Sequence, residues 1–75
     1  MTRNYTYGIE YQTKNETRIM KVLAKGTMEW RELMRKTGNG PDWNRMFNAI
    51  ITDMAEAGMV TKTWDERGET YLTKA

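Results

Sequence analysis

The segment TKTWDERGETYLT (residues 61–73) predicts a β-hairpin in the last fifth of the chain. Two runs rich in threonine, valine and aromatic residues, 60–64 and 69–73, flank turn-forming residues at 65–68. Gly58 stands just before the first run, where a helical pattern stops. We expect the base of the hairpin to complete the core, while its charged tip extends beyond it.

Three helices are predicted before the hairpin. In residues 42–57, apolar side chains recur at positions i, i+3, i+4 and i+7, namely Phe47, Ile50, Ile51 and Met54. A short strand at 28–30 leads into a two-turn helix at 31–37. Residues 13–16 (TKNE) have the form of a capping box, which predicts a first helix over residues 14–25 that ends at Gly26.

The N-terminal stretch TRNYTYGIEYQ alternates apolar and polar residues, which predicts a strand or an extended arm over residues 1–13. The main domain would then span residues 14–75. The apolar positions of the arm either pack on their own domain or form the seam of a homodimer, for which the first helix is the rival surface. These positions are Tyr5, Tyr7, Ile9 and Tyr11.

The composition narrows the classes of function. The 75 residues suffice for one domain and include no cysteine, histidine or serine. Disulfides and Cys/His metal sites are therefore excluded, and the commonest catalytic bases and nucleophiles are missing. We expect no enzyme, no cofactor, no metal and no small-molecule ligand. No membrane span or signal peptide is evident, and the composition is compatible with the cytoplasm.

Three motifs, in the same order as the predicted elements, point to a family. GTMEWREL (residues 26–33), MAEAGMV (54–60) and RGETYLT (67–73) resemble segments of the winged helix-turn-helix family. They correspond to its entry to the second helix, its passage from third helix to wing, and its exit from the wing. The resemblance covers about residues 14–74, and small bacterial, archaeal and archaeal-virus transcription regulators are the most similar members. It implies an α+β fold, mainly α, with a C-terminal hairpin wing.

The resemblance also implies which residues would contact DNA. The third helix, residues 42–57, would lie in the major groove with base-reading side chains on its exposed face, and the wing, residues 60–73, would approach the backbone. Asp42 is expected to cap this helix, and Trp43 to pack over the preceding turn or to lie at the DNA surface. For the exposed helix residues, a solvated helix face is the alternative interpretation. The expected DNA-binding residues are Asn44, Arg45, Asn48 and Thr52 on the third helix, Arg31, Arg35 and Lys36 on the second, and Lys62 and Arg67 on the wing.

The expected function is sequence-specific binding of double-stranded DNA by a small homodimeric transcription regulator. The alternative is a winged-helix module that binds another protein without binding DNA. Net charge keeps this alternative open, because residues 41–75 carry four Lys/Arg against six Asp/Glu, although the whole chain is at +2. Salt dependence separates the two, since DNA binding weakens steeply as salt rises.

Overall fold

The computed structural model describes residues 3–75 and confirms an α+β architecture that is mainly helical. The described chain forms three helices and one three-stranded antiparallel sheet. In chain order the elements are α1 (Ile9–Leu23), β1 (Met28–Glu29), α2 (Trp30–Thr37), α3 (Gly40–Glu56), β2 (Val60–Trp64) and β3 (Thr70–Lys74). None of the helices within residues 3–75 combines the length and apolar character needed to cross a membrane.

The predicted hairpin is confirmed. Strands β2 and β3 pair from Val60↔Lys74 to Trp64↔Thr70, and β1 pairs with the other edge of β3, with Met28 opposite Leu72. The strand order is therefore β1-β3-β2. Because side chains alternate along a strand, Val60, Lys62 and Trp64 share one face of the sheet with Leu72.

The core lies between this sheet face and the three helices. Its largest contribution comes from α3, and its buried apolar members are Ile19, Leu23, Leu33, Trp43, Phe47, Ile50, Ile51, Met54, Val60 and Leu72. The rings of Phe47 and Trp30 form a T-shaped pair with centres 4.9 Å apart and planes at 82°, and the Phe47 ring centre lies 5.9 Å from that of Trp43. The Trp30–Phe47 contact joins α2 to α3.

Trp43 is buried, as expected, and holds the turn between α2 and α3. Its indole nitrogen donates a hydrogen bond to the carbonyl oxygen of Met34 at 2.9 Å. A Cβ at Gly38 would lie 2.7 Å from the indole carbons, so a larger residue there would collide with the ring. Gly38 is thus required for space, because its extended backbone suits any residue.

The predicted N-terminal strand or extended arm is wrong over residues 3–13, and residues 1–2 of that prediction lie outside the described residues. The chain turns at residues 6–7, and Gly8, at φ 86°, precedes the first residue of α1, Ile9. The boundary proposed between residues 13 and 14 consequently lies inside α1. Successive helical residues are rotated by about 100°, so Ile9 and Tyr11 point to nearly opposite sides of α1. The four apolar positions of the supposed arm therefore do not share one face.

The physical reason is a buried polar network that hydrophobic periodicity does not report. Asp53 of α3 accepts hydrogen bonds from the Thr6 amide (3.0 Å), the Thr6 hydroxyl (2.7 Å) and the Gln12 side-chain amide (2.9 Å). The Gln12 side-chain oxygen accepts from the Tyr7 amide at 3.1 Å. Arg3 forms an ion pair with Glu16, which is 2% exposed. Residues 3–8 are thereby fixed to both α1 and α3.

The predicted helix starts need similar corrections. The capping box at residues 13–16 is wrong, because all four residues lie inside α1. Asp42 does not cap α3, which begins at Gly40 after Asn39; Asp42 pairs instead with Arg45. The cap of α2 is Glu29, whose carboxylate accepts a hydrogen bond from the Arg31 amide at 2.9 Å. Helix α1 also ends two residues early, at Leu23.

Asp53 should make stability depend on pH. Burial raises the pKa of its carboxyl group, but the hydrogen bonds from Thr6 and Gln12 and the charge of Arg3 outweigh it, so the pKa lies below its ordinary value. This contribution is complete above the ordinary carboxyl pKa, about 4, and is lost as pH falls through the lower folded pKa. Chemical denaturation of Asp53→Asn between pH 6 and pH 3 should give a shallower fall in the free energy of unfolding than for the unmodified protein. Equal slopes would contradict the assignment.

Candidate functional site

An open cleft of about 500 Å³ lies between the hairpin, the start of α2 and the middle of α3. We call it the hairpin cleft. Four of the residues expected to contact DNA line it, from three separate elements, namely Arg31 of α2, Asn48 of α3, and Lys62 and Arg67 of the hairpin. The fold therefore brings together residues that are up to 36 positions apart in the sequence.

A second open groove runs between α2 and the start of α3. We call it the helix groove. Arg31, Arg35 and Asn44 line it beside Met34 and the turn at residues 38–40. Because Arg31 lines both depressions, they form one continuous surface along α2, α3 and the hairpin.

The exposed face of α3 carries the four side chains expected to read bases. Asn44, Arg45, Asn48 and Thr52 are all exposed, and the last three follow each other at helical spacing. Arg45 pairs with Asp42 at 2.9 Å, but both side chains are at least 80% exposed. An ion pair so open to water contributes about 1 kcal/mol at most, so Arg45 can exchange this partner for another anion. The Thr52 hydroxyl donates to the carbonyl of Asn48 at 2.9 Å.

The expected contacts Lys36, Arg45 and Thr52 lie outside both depressions, and Lys36 is the only one of these three on α2. Its ammonium is 3.5 Å from the Glu32 carboxylate on the exposed side of α2. Within residues 3–75, it lines neither the hairpin cleft nor the helix groove. Its position fits the alternative interpretation, a solvated helix face.

Lys62 is held in place by an aromatic ring. Its Nζ lies 5.5 Å from the centre of the Trp30 ring, within the range of a cation–π attraction. Trp30 in turn packs its ring at a right angle against buried Phe47. Buried Phe47 therefore positions the Trp30 ring, and that ring positions the Lys62 ammonium group in the hairpin cleft.

The carboxylate of Asp65 stabilises the turn of the hairpin. One carboxylate oxygen of Asp65 accepts from the amides of Arg67 (2.9 Å) and Glu69 (3.0 Å). The other accepts from the Tyr71 hydroxyl at 3.2 Å. Glu69 and Glu29 also line the hairpin cleft, so its positive charge is partly offset. The cleft nevertheless retains one more cation than anion.

Trp64 belongs to this site, although the sequence analysis did not select it. Its side chain is 65% exposed and lines the hairpin cleft beside Lys62 and Arg67. The sequence did indicate the side of the hairpin on which Trp64 lies, because positions 60, 62 and 64 are alternate residues of a strand and share one face. Only the tertiary structure shows that this face opens into a cleft at its far end.

The residues expected at a dimer seam have unequal surroundings. Tyr5 is half-buried, with the Arg3 guanidinium 4.4 Å from the centre of its ring, so it packs on its own domain. Tyr7, Ile9 and Tyr11 are exposed, and Ile9 is the most exposed of them at 63%. The Tyr11 hydroxyl lies 3.9 Å from the sulfur of Met46.

The pKa of Tyr71 should report the turn of the hairpin. The hydrogen bond to the Asp65 carboxylate, with the charge of that group, raises the pKa of the Tyr71 hydroxyl. Asp65→Asn should bring this pKa back towards the ordinary value near 10, while the amide oxygen still accepts from the turn. Absorbance titration of tyrosinate, with Tyr71→Phe to identify the signal, measures the change. Glu66→Gln is the control and should leave the Tyr71 pKa unchanged; equal effects of the two variants would contradict the assignment.

The site offers hydrogen-bond donors, cations and aromatic surface. Within residues 3–75 no group of three or more His, Cys, Asp or Glu side chains is placed to hold a metal ion. Such a surface can bind a phosphate backbone and the edges or faces of bases.

No protein-family model matches the chain, and searches of curated proteins and of solved structures find no match either.

Proposed function

We propose that the protein is a winged helix-turn-helix transcription regulator that binds double-stranded DNA. The observation that carries the proposal is the convergence of Arg31, Asn48, Lys62 and Arg67 on one cleft. Three of these residues are cations and the fourth is a side-chain amide, which is the combination used for phosphate and base contacts.

The order of elements supports the winged-helix arrangement. Helices α2 and α3 are joined by a short turn, and the hairpin follows directly after α3. Strand β1 joins the hairpin by pairing with its second strand. In this arrangement α3 lies in the major groove and the hairpin lies beside the backbone. With 17 residues, α3 is about 25 Å long, which suffices to follow the groove.

Different residues would then carry specificity and affinity. Asn44 and Asn48 suit paired hydrogen bonds to adenine, and Arg45 suits guanine after it leaves Asp42. The cations beside the helix, chiefly Arg31, Arg35 and Lys62, would bind phosphates. By occupying a promoter, the protein would control access to it in the cytoplasm without catalysis, cofactor or effector.

We also propose that the active form is a homodimer, because two copies can read two half-sites. Exposed Ile9 at the start of α1, beside Tyr7, is the apolar surface that supports this. Tyr5 is engaged within its own domain and Tyr11 points elsewhere, so the seam would be narrower than the sequence suggested.

Fluorescence anisotropy against a pool of random duplexes at two salt concentrations, with recovery and sequencing of bound DNA, tests the function. The proposal requires salt-sensitive binding and an enriched, two-fold-symmetric sequence. Absence of binding at low salt would refute it and favour a protein partner.

Two arginine substitutions should separate the two kinds of contact. Arg31→Ala should weaken binding to all duplexes and reduce the slope of log K against log salt by about 1, because it removes one phosphate contact. Arg45→Ala should cost about 1–3 kcal/mol only for duplexes carrying the preferred base at one position. Lys21→Ala, on the exposed face of α1, is the control that should alter neither quantity. If all three variants behave alike, the proposed surface is wrong.

Ile9→Glu should dissociate the homodimer. A carboxylate in an apolar seam is costly to bury, whereas position 9 is exposed in the single chain and should tolerate the change. Sedimentation velocity over a range of concentrations measures the result. Lys14→Glu adds an acidic group on another side of α1 and should leave the dimer intact. A monomeric unmodified protein at high concentration would contradict the proposal.

A further inference from the structure

We propose that Trp64 is a stacking platform for one unpaired nucleobase, so that the protein binds duplex DNA with an unpaired nucleotide more tightly than fully paired DNA. This inference rests on the proposed DNA-binding function and specifies its ligand. Tryptophan is highly buried on average in folded proteins, yet Trp64 is 65% exposed. Trp43 is buried and Trp30 is half-buried, so Trp64 is the most exposed of the three tryptophans.

Trp64 lies on the sheet face that forms one wall of the hairpin cleft. It stands on the sheet face of Val60 and Lys62, two residues beyond Lys62 and next to the turn. Val60 is buried and Lys62 is held over Trp30, so the indole of Trp64 is the next side chain outward on this face. Asn48 and Arg31 lie across the same cleft.

The shape and chemistry of the hairpin cleft favour a single base over a stack of base pairs. Its volume of about 500 Å³ falls in the range of pockets that hold one small organic group. An aromatic face surrounded by cations is the arrangement that proteins use to stack one base while binding its backbone. Lys62 and Arg67 flank Trp64 and can bind the adjoining phosphates, while the Asn48 amide can bond to the edge of the base.

Fully paired DNA cannot supply this base without cost. Its bases are stacked on each other, and removing one from the stack has a free-energy cost that weakens binding. A nucleotide that is already unpaired avoids that cost, so stacking on Trp64 contributes fully to the binding affinity. Stacking on an aromatic side chain strengthens binding by about five- to a hundredfold per base.

The test compares two duplexes of one sequence, which differ only in a central, unpaired 2-aminopurine nucleotide. Anisotropy at low salt should show at least about fivefold tighter binding to the bulged duplex. The fluorescence of 2-aminopurine should fall on binding, because stacking on an indole quenches it. Trp64→Ala should bind both duplexes with equal affinity and abolish the quenching, while Trp64→Phe should retain part of the preference. Lys21→Ala, on the exposed face of α1 and not among the residues lining the cleft, should keep the full preference.

The outcomes separate this inference from the proposed function. Equal binding of both duplexes by the unmodified protein overturns the inference and leaves duplex binding standing. Persistence of the preference in Trp64→Ala overturns it too, provided that circular dichroism shows the variant to be folded. Failure to bind either duplex overturns both proposals. Loss of the preference in Trp64→Ala, with paired-duplex binding unchanged, supports the inference.

Discussion

The contact between Trp30 and Phe47 determines the geometry of the candidate site. Phe47 is fully buried at the centre of α3, and the edge-to-face packing of Trp30 against it fixes the start of α2. Aromatic pairs of this kind contribute about 0.5–1.5 kcal/mol beyond the area they bury. The Trp30 ring also attracts the ammonium of Lys62, which ties the hairpin to the same point. One aromatic pair thus relates the three elements that form the hairpin cleft.

A second, polar constraint holds the C-terminal part of α3. Asp53 lies six positions after Phe47 and binds Thr6 and Gln12, so the N-terminal residues close over α1 and α3. A buried carboxylate is tolerated only when hydrogen bonds replace its water, and Asp53 receives three. The two constraints leave the opposite face of α3 free of packing, and that face carries Asn44, Asn48 and Thr52.

The sequence predicted those parts of the fold that depend on local pattern. The hairpin, the apolar stripe of α3 and the order from first helix to last strand follow from periodicity and from glycines at the ends of elements. The N-terminal strand failed because Tyr5, Tyr7, Ile9 and Tyr11 have a period of two by position, while Gly8 and the bonds to Asp53 dictate a turn and a helix. Neither Gly8 nor the hydrogen bonds to Asp53 produce a periodic pattern of apolar residues in the sequence. The sequence could also predict single DNA-binding residues, namely Arg31, Asn48, Lys62 and Arg67. Only the tertiary structure shows that they line one cleft together with Trp64.

We propose that the surface formed by α2, α3 and the hairpin binds DNA. Titration of the ¹⁵N-labelled protein with a short duplex, followed by NMR, tests it most directly, because each amide and the Trp64 indole report separately. Shifts should concentrate at Arg31, Asn48, Lys62 and Trp64, with the last turn of α1 around Lys21 unchanged. Shifts confined to α1, or none at low salt, would contradict the claim.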